Sequence, residues 1–196
     1  MPALIVIPAR LKATRLPDKP LAMISDTPMI IHVWRRAMQA GAGPVVVAAG
    51  DQEIIDVVSA AGGQAVLTDP DLPSGSDRVH AAAETLDPEG AYDVVVNVQG
   101  DLPTLDPALV AASITPLEDP NIDIATIVAQ ITDENELSDP AAVKVAMSLK
   151  PGARVGPALY FSRNCIPSGA GDHYHHIGIY AFRRAALRQF VALPPT

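Results

Sequence analysis

Apolar residues along this chain gather into short runs separated by polar, proline-bearing or glycine-bearing stretches. Ala3–Ile7 is an unbroken, β-branched run with Pro8 behind it. A run with no polar alternation predicts a strand covered on both faces, as in a parallel sheet. Pro44–Ala49, Gln64–Thr68 and Asp93–Val98 read the same way. Between these runs the period changes. Ile30, Ile31, Val33, Trp34, Ala37 and Met38 recur at helical spacing, which predicts a helix over Pro28–Ala40, with Pro28 in its first turn and Gly41 as its stop. Asp51 is placed to cap a helix running to Ala61, and Gly62–Gly63 ends it. Asp69–Gly75 reads as a loop leading into a helix over Ser76–Leu86, and helical signals return at Asp106–Ser113. Residues 8–27 show no helical period and read as a long loop. Later, Ile122–Ile131, Val143–Leu149 and His176–Phe182 read as strands and Arg183–Phe190 as a helix.

The first half is thus β-α-β-α-β-α-β. That order predicts an α/β fold: a mostly parallel sheet with helices on both faces, followed by a smaller strand-rich lobe. At roughly 100–200 residues per domain, 196 residues predict a single domain over 1–196. With 48% hydrophobic and 18% charged residues the chain is not a disordered one. Its 19 prolines are scattered between apolar runs and punctuate loops.

Charge narrows the function classes. Lys and Arg number 14 and Asp and Glu 22, a net charge of −8, the opposite balance from a protein that grips a nucleic acid backbone. A single cysteine, Cys165, forms no internal disulfide and fits a reduced, cytoplasmic setting. No run approaches the roughly 20 apolar residues of a membrane span, and Ala3–Ile7 is too short for a signal peptide's apolar region, so no membrane insertion is expected.

Against this acidic background the segment PARLKATRLPDKP, residues 8–20, stands out. Arg10, Lys12, Arg15 and Lys19 crowd into it, just after the first strand. Open α/β sheets bind ligands beyond their strand ends, and several cations there suit a triphosphate as well as they suit a solvated loop. Neither a Walker phosphate loop nor a G-x-G-x-x-G follows the strand, which argues against a P-loop NTPase and a dinucleotide dehydrogenase. NVQGDLP, residues 97–103, takes a buried strand into a polar turn holding one carboxylate, Asp101. Such a carboxylate is placed either to hold Mg²⁺ on a nucleotide phosphate or simply to make a turn. PSGSDR, residues 73–78, opens a helix whose free N–H groups suit an anion or a base edge, or only an ordinary cap. In DHYHHIGIY, residues 172–180, three histidines lack any further ligand at zinc spacing, while His176 and Tyr180 fall on one strand face. In ALYFSR, residues 158–163, Tyr160 and Phe161 read as packing residues and Arg163 as surface charge or a carboxylate fork.

Taken in this order, PAR…TRLPDKPL, SGSDR, NVQGD-P, LYFSR and HHIGIYAF resemble the 3-deoxy-manno-octulosonate (Kdo) cytidylyltransferase family, the CMP-Kdo synthetases of lipopolysaccharide synthesis. The likeness runs over essentially the whole chain, and it is the last three motifs that separate this family from other sugar-acid cytidylyltransferases. The resemblance implies a Rossmann-like nucleotidyltransferase fold, CTP and Kdo as substrates, Mg²⁺ as cofactor and a homodimer. It implies that Arg10, Arg15 and Lys19 hold the triphosphate, with Arg10, Lys19 and Asp101 as the catalytic group and Asp101 on the metal. It places Ser74, Gly75, Arg78 and Gln99 against the cytidine, and Arg163, His176 and Tyr180 against the sugar acid. The alternatives are a cytidylyltransferase for another sugar acid and a non-catalytic nucleotide-binding remnant. Two departures stand out. Leu102 occupies a position where many members carry Glu. Members also continue past the position of Thr196 with an acidic helix and a second metal-binding Asp, so the resemblance implies a chain short at its C-terminus.

Overall fold

The computed structural model describes residues 1–12, 17–169 and 171–194. In chain order its elements are β1 (Ala3–Ala9), β2 (Met23–Ile24), β3 (Thr27–Pro28), α1 (Met29–Gln39), β4 (Val45–Ala49), α2 (Gln52–Ala60), β5 (Gln64–Leu67), α3 (Gly75–Leu86), β6 (Val94–Val98), α4 (Ala108–Ile114), β7 (Ile124–Gln130), α5 (Asn135–Ser138), β8 (Lys144–Met147), β9 (Ala158–Ser162), β10 (Tyr174–Arg183) and α6 (Arg184–Val191). Short 3-10 turns lie at Lys19–Leu21 and Thr115–Glu118. Two compact units divide these elements: Met1–Ala125 with Ile179–Thr196, and Thr126–Gly178.

In the first unit the strands lie in the order β5-β4-β1-β6-β10, parallel from β5 to β6, with the second half of β10 antiparallel to β6. The α/β class and the mostly parallel sheet expected from the apolar runs are what the structure has. Because side chains alternate along a strand, Leu4 and Val6 face one way and Ile5 and Ile7 the other. All four are buried. Leu4, Val6, Val46, Ala48 and Val95 pack with Val79, Ala82 and Ala83 of α3 and Leu187 of α6. Each valine or leucine among them contributes about 1.5–3 kcal/mol by leaving water, which is what holds α3 and α6 on this face.

Pro8 does not end the first strand. The strand runs on to Ala9, in register with Ala48 and Ala49 of β4. Ile5 and Ala9 bond toward β4, so Pro8 faces the β6 side, where pairing has already stopped at Val6–Asn97. The missing N–H of proline therefore breaks no ladder bond.

The segment expected to be a long loop carries more structure. After Lys19–Leu21, β2 and β3 form a tiny hairpin turning through Ser25, whose φ is +54°. Strands of two residues are too short for a period-2 pattern to register. Asp51 also departs from expectation. It stands at the N-cap position of α2, yet its carboxylate makes no cap bond. It accepts the Leu11 N–H instead, at 2.8 Å. β1 and β4 are parallel neighbours, so the loops leaving them lie side by side, and a loop donor without a ladder partner claims the carboxylate.

In the second unit β8 pairs antiparallel with β9 on one side and with the first half of β10 on the other, and β7 pairs with β10. β9 was not legible as a strand. Tyr160 was expected to pack, but it stands 66% exposed on this edge strand, beside Leu159 at 68%. Phe161 sets its ring edge-on to His176, centroids 5.5 Å apart.

Candidate active site

The strand order 5-4-1-6 reverses direction at β1. The chain steps outward from β1 to β4 and β5, then returns to the other side for β6. Loops from the two halves part here and leave a crevice at the C-terminal ends of the strands. A cavity of about 130 Å³ occupies it, lined by Pro8, Arg10, Ser74, Gly75, Arg78 and Gln99. Five of the eleven residues singled out from sequence, Arg10, Ser74, Gly75, Arg78 and Gln99, thus surround one hollow.

Arg78 is built into the wall. It is 2% exposed, and its guanidinium donates to Thr68 Oγ1, to Asp69 O at 3.0 Å and to Pro70 O at 3.2 Å. Burial, and then the charge of Arg10, lower its pKa from the usual arginine value. Its donors fasten the 68–70 turn that follows β5. Gly50 makes room for this: a Cβ there would lie 3.0 Å from Arg78 Nη1 and 3.2 Å from Arg10 Cβ. Arg10 itself is exposed and donates to Leu72 O at 3.5 Å. Ser74 caps α3, its Oγ accepting from Asp77 N at 3.2 Å. The start of this twelve-residue helix opens on the cavity with its free N–H groups and its positive dipole end.

The 3-10 turn brings Lys19 to the loop that follows β6. Its ammonium donates to Asp101 Oδ2 at 2.8 Å, with both side chains partly exposed. Arg15 lies outside the described residues. Tyr180 stands opposite Asn97 in the β10–β6 register and stacks on Phe182, ring centroids 6.0 Å apart. Burial raises the pKa of its phenol, so it stays protonated at neutral pH. Asn97 is 1% exposed, and its Oδ1 has no hydrogen-bond partner among the described residues.

Arg163 and His176 belong to the second unit. Arg163 Nη1 donates to Pro140 O at 2.6 Å. His176 Nε2 and Thr126 Oγ1 share a hydrogen bond at 2.9 Å. Burial, and then the neighbouring His175, lower the His176 pKa, which keeps its imidazole neutral at pH 7. The three histidines have separate partners: His173 meets Pro167 O at 3.0 Å and His175 meets Glu136 Oε1 at 3.2 Å. Sequence reasoning missed Lys144, a fully buried lysine that an apolar strand pattern conceals.

Among the described residues no three carboxylate, imidazole or thiol groups cluster as a metal cage. Asp101 lies two residues after the cavity-lining Gln99 and is the carboxylate that a hard cation held there would use. Mg²⁺ fits such a site when it brings most of its ligands as water and nucleotide phosphate, since it commonly takes one or two protein carboxylates.

The sequence model for the cytidylyltransferases matches residues 4–196. The chain belongs to the cytidylyltransferase family. It is 62% identical to a 3-deoxy-manno-octulosonate cytidylyltransferase of Paramagnetospirillum magneticum over 97% of this chain and 78% of that protein. It is 58% identical to the enzyme of the same name from Rhodospirillum rubrum, over 98% of this chain and 77% of that one. Among solved structures it superposes on a CMP:2-keto-3-deoxy-manno-octonic acid synthetase complexed with CTP, with a TM-score of 0.89 and 36% identity, over 100% of this chain and 80% of that one. A cytidylyltransferase from Leptospira borgpetersenii shares the fold at a TM-score of 0.61 and 17% identity. Pro8, Ala9 and Arg10 of the PAR motif and Gln99 of the NVQGD motif line the same cavity.

A larger cavity of about 410 Å³ lies at the other end of the sheet, lined by Met1, Tyr92, Asp93, Arg183, Arg184 and Arg188. Its arginines are engaged within the fold. Arg183 donates to Leu117 O, Asp119 O and Ile122 O, Arg184 pairs with Asp87, and Arg188 pairs with Glu84. It is a structural knot under α6. No helix among the described residues is long and apolar enough to cross a membrane.

Proposed function

We propose that this cytidylyltransferase transfers CMP from CTP to the anomeric hydroxyl of Kdo. The sugar oxygen forms a bond to the α-phosphorus, the bond to the β-phosphate oxygen breaks, and pyrophosphate leaves. The observation that carries the reading is the likeness, over 100% of the chain, to a synthetase complexed with CTP. The geometry supplies a reason. In-line phosphoryl chemistry needs alignment and charge neutralisation more than a covalent nucleophile. Arg10 offers a cation beside the N-terminus of α3, where a triphosphate would lie, and Lys19 offers a second one beside Asp101. Asp101 would hold Mg²⁺, which when bound supplies neutralisation of phosphate charge. Ser74, Gly75 and Gln99 line the hollow suited to the base, and Arg78 stiffens its wall. Arg15 would add a phosphate contact. For the sugar acid we assign Arg163 to the carboxylate, since a guanidinium presents two parallel N–H bonds to it, and His176 and Tyr180 to its hydroxyls. The product feeds lipopolysaccharide synthesis in the cytoplasm, and the protein acts as a homodimer.

Calorimetry with CTP, UTP, ATP and GTP in the presence and absence of Mg²⁺ tests the nucleotide. CTP is expected to bind most tightly and to depend on Mg²⁺; equal affinity for all four removes the base-reading role of Gln99 and the Ser74–Gly75 turn. Release of pyrophosphate with Kdo, and with other sugar acids in parallel, tests the acceptor. Light scattering tests the dimer.

A further inference from the structure

Lys144 heads the largest fully buried side chains among the described residues, at 0% exposure. It lies on β8, the strand flanked by both neighbours in the second unit, opposite Ser162 of β9 and His175 of β10. An ammonium buried there is costly unless each of its protons has an acceptor. Three acceptors are present, all main-chain carbonyls: Asp139 O at 2.5 Å, Ala142 O at 2.9 Å and Arg163 O at 3.1 Å. A methionine would fill the same space without that cost, so a core-filling role does not explain a lysine.

The pattern of acceptors does. Two of the carbonyls belong to the 139–142 turn and the third to Arg163 itself. Arg163 donates back to Pro140 O in the same turn, at 2.6 Å. The lysine ammonium, the turn and Arg163 thus close a ring in which the backbone of Arg163 and one edge of its guanidinium are both anchored. With Nη1 engaged, the Nε and Nη2 protons remain arranged as a fork. An exposed arginine otherwise samples many rotamers, and a site that recognises a planar carboxylate needs the fork held within about 0.5 Å.

We propose that Lys144 is a positioning residue that orients Arg163 for the carboxylate of the sugar acid. This rests on the assignment of Arg163 to that carboxylate given above. Lys144 touches neither substrate in this scheme.

The test is a set of steady-state measurements on the full-length protein with Lys144→Met, Lys144→Gln, Arg163→Lys and the double variants. Lys144→Met is expected to raise the KM for Kdo about tenfold, with the KM for CTP within about twofold of the parent. Lys144→Gln keeps two N–H donors and should fall between. Because Lys144 acts through Arg163, adding either Lys144 change to Arg163→Lys should cost little more than Arg163→Lys alone. Should Lys144→Met fail to fold, Lys144→Gln and its double variant carry the same comparison. An unchanged KM for Kdo in a folded Lys144 variant, an equal rise for both substrates, or additive effects in the double variant overturns the inference. An unchanged KM for Kdo in Arg163→Lys overturns the carboxylate assignment itself, and the positioning role with it; a raised one there, with Lys144 variants unaffected, overturns the positioning role alone.

Discussion

Lys19 and Asp101 stand 82 positions apart in the chain, and the lysine Nζ rests 2.8 Å from the aspartate Oδ2. Their side chains are 38% and 46% exposed. An ion pair this open to water contributes little to stability, a median of about 0–1 kcal/mol. Its value is positional. It draws a cation from the loop after β1 and a carboxylate from the loop after β6 together, the two groups that the triphosphate and metal of the proposed reaction would take over.

Asp101→Asn keeps the shape and removes the charge. Turnover should fall about 10²-fold or more, equivalent to about 2.7 kcal/mol of barrier, while the melting temperature stays close to the parent. Nucleotide-turnover assays across a Mg²⁺ series, with a thermal melt, check it. Retained turnover with the same Mg²⁺ dependence reduces Asp101 to a turn residue.

Asp51 serves the loop after β1 and not its own helix. Asp51→Ala therefore leaves the Leu11 N–H without its charged acceptor, a bond worth about 1.5–3 kcal/mol. We expect a lower melting temperature and weaker CTP binding. Asp51→Ser, a good helix cap with a shorter reach, should not restore either. Full recovery by serine would show that capping of α2 was the role after all.

Gly100 sits in the NVQGD turn against β1. A Cβ there would lie 2.8 Å from the Pro8 carbonyl oxygen, a backbone atom with little room to yield. Gly100→Ala should destabilise the fold by about 1–3 kcal/mol and displace Asp101 from Lys19, so turnover falls more than stability alone explains. Chemical denaturation and turnover measured on one preparation separate the two effects.

His176 is half-buried as the neutral imidazole, with a pKa below the ordinary histidine value. The unfolded chain binds the proton more readily than the folded one. Its contribution is thus fully present above about pH 6.5 and is lost as the pH falls from there through the lowered folded value. His176→Gln should flatten part of the drop in melting temperature between pH 7.5 and pH 5, values of about the range in which histidine titrates. An identical pH profile in the two proteins would remove His176 from that dependence.

Local pattern alone was enough for the parallel half of the fold. Ile5, Val46, Val96 and their neighbours form runs that only a strand covered on both faces accommodates, and helical periods between them dictate the crossovers. The chemistry-bearing motifs were equally visible, because cations crowded into an acidic chain and a carboxylate after a buried strand are local facts. Tertiary structure decided what these residues touch. Asp51 looks like a helix cap and holds Leu11 instead, because two parallel strands set their loops side by side. Pro8 looks like a strand end, but it continues β1 because the pairing on its side has already stopped. Tyr160 looks like a packing residue and stands on an open edge, since β9 has β8 as its one ladder partner among the described residues. Lys144 carries no signal of its own inside the apolar run Val143–Leu149 and is buried under three carbonyls. Hydrophobic period is written in neighbours three or four positions away; hydrogen-bond partners tens of positions away, such as Lys19 and Asp101, exist only once the sheet order has brought their loops together.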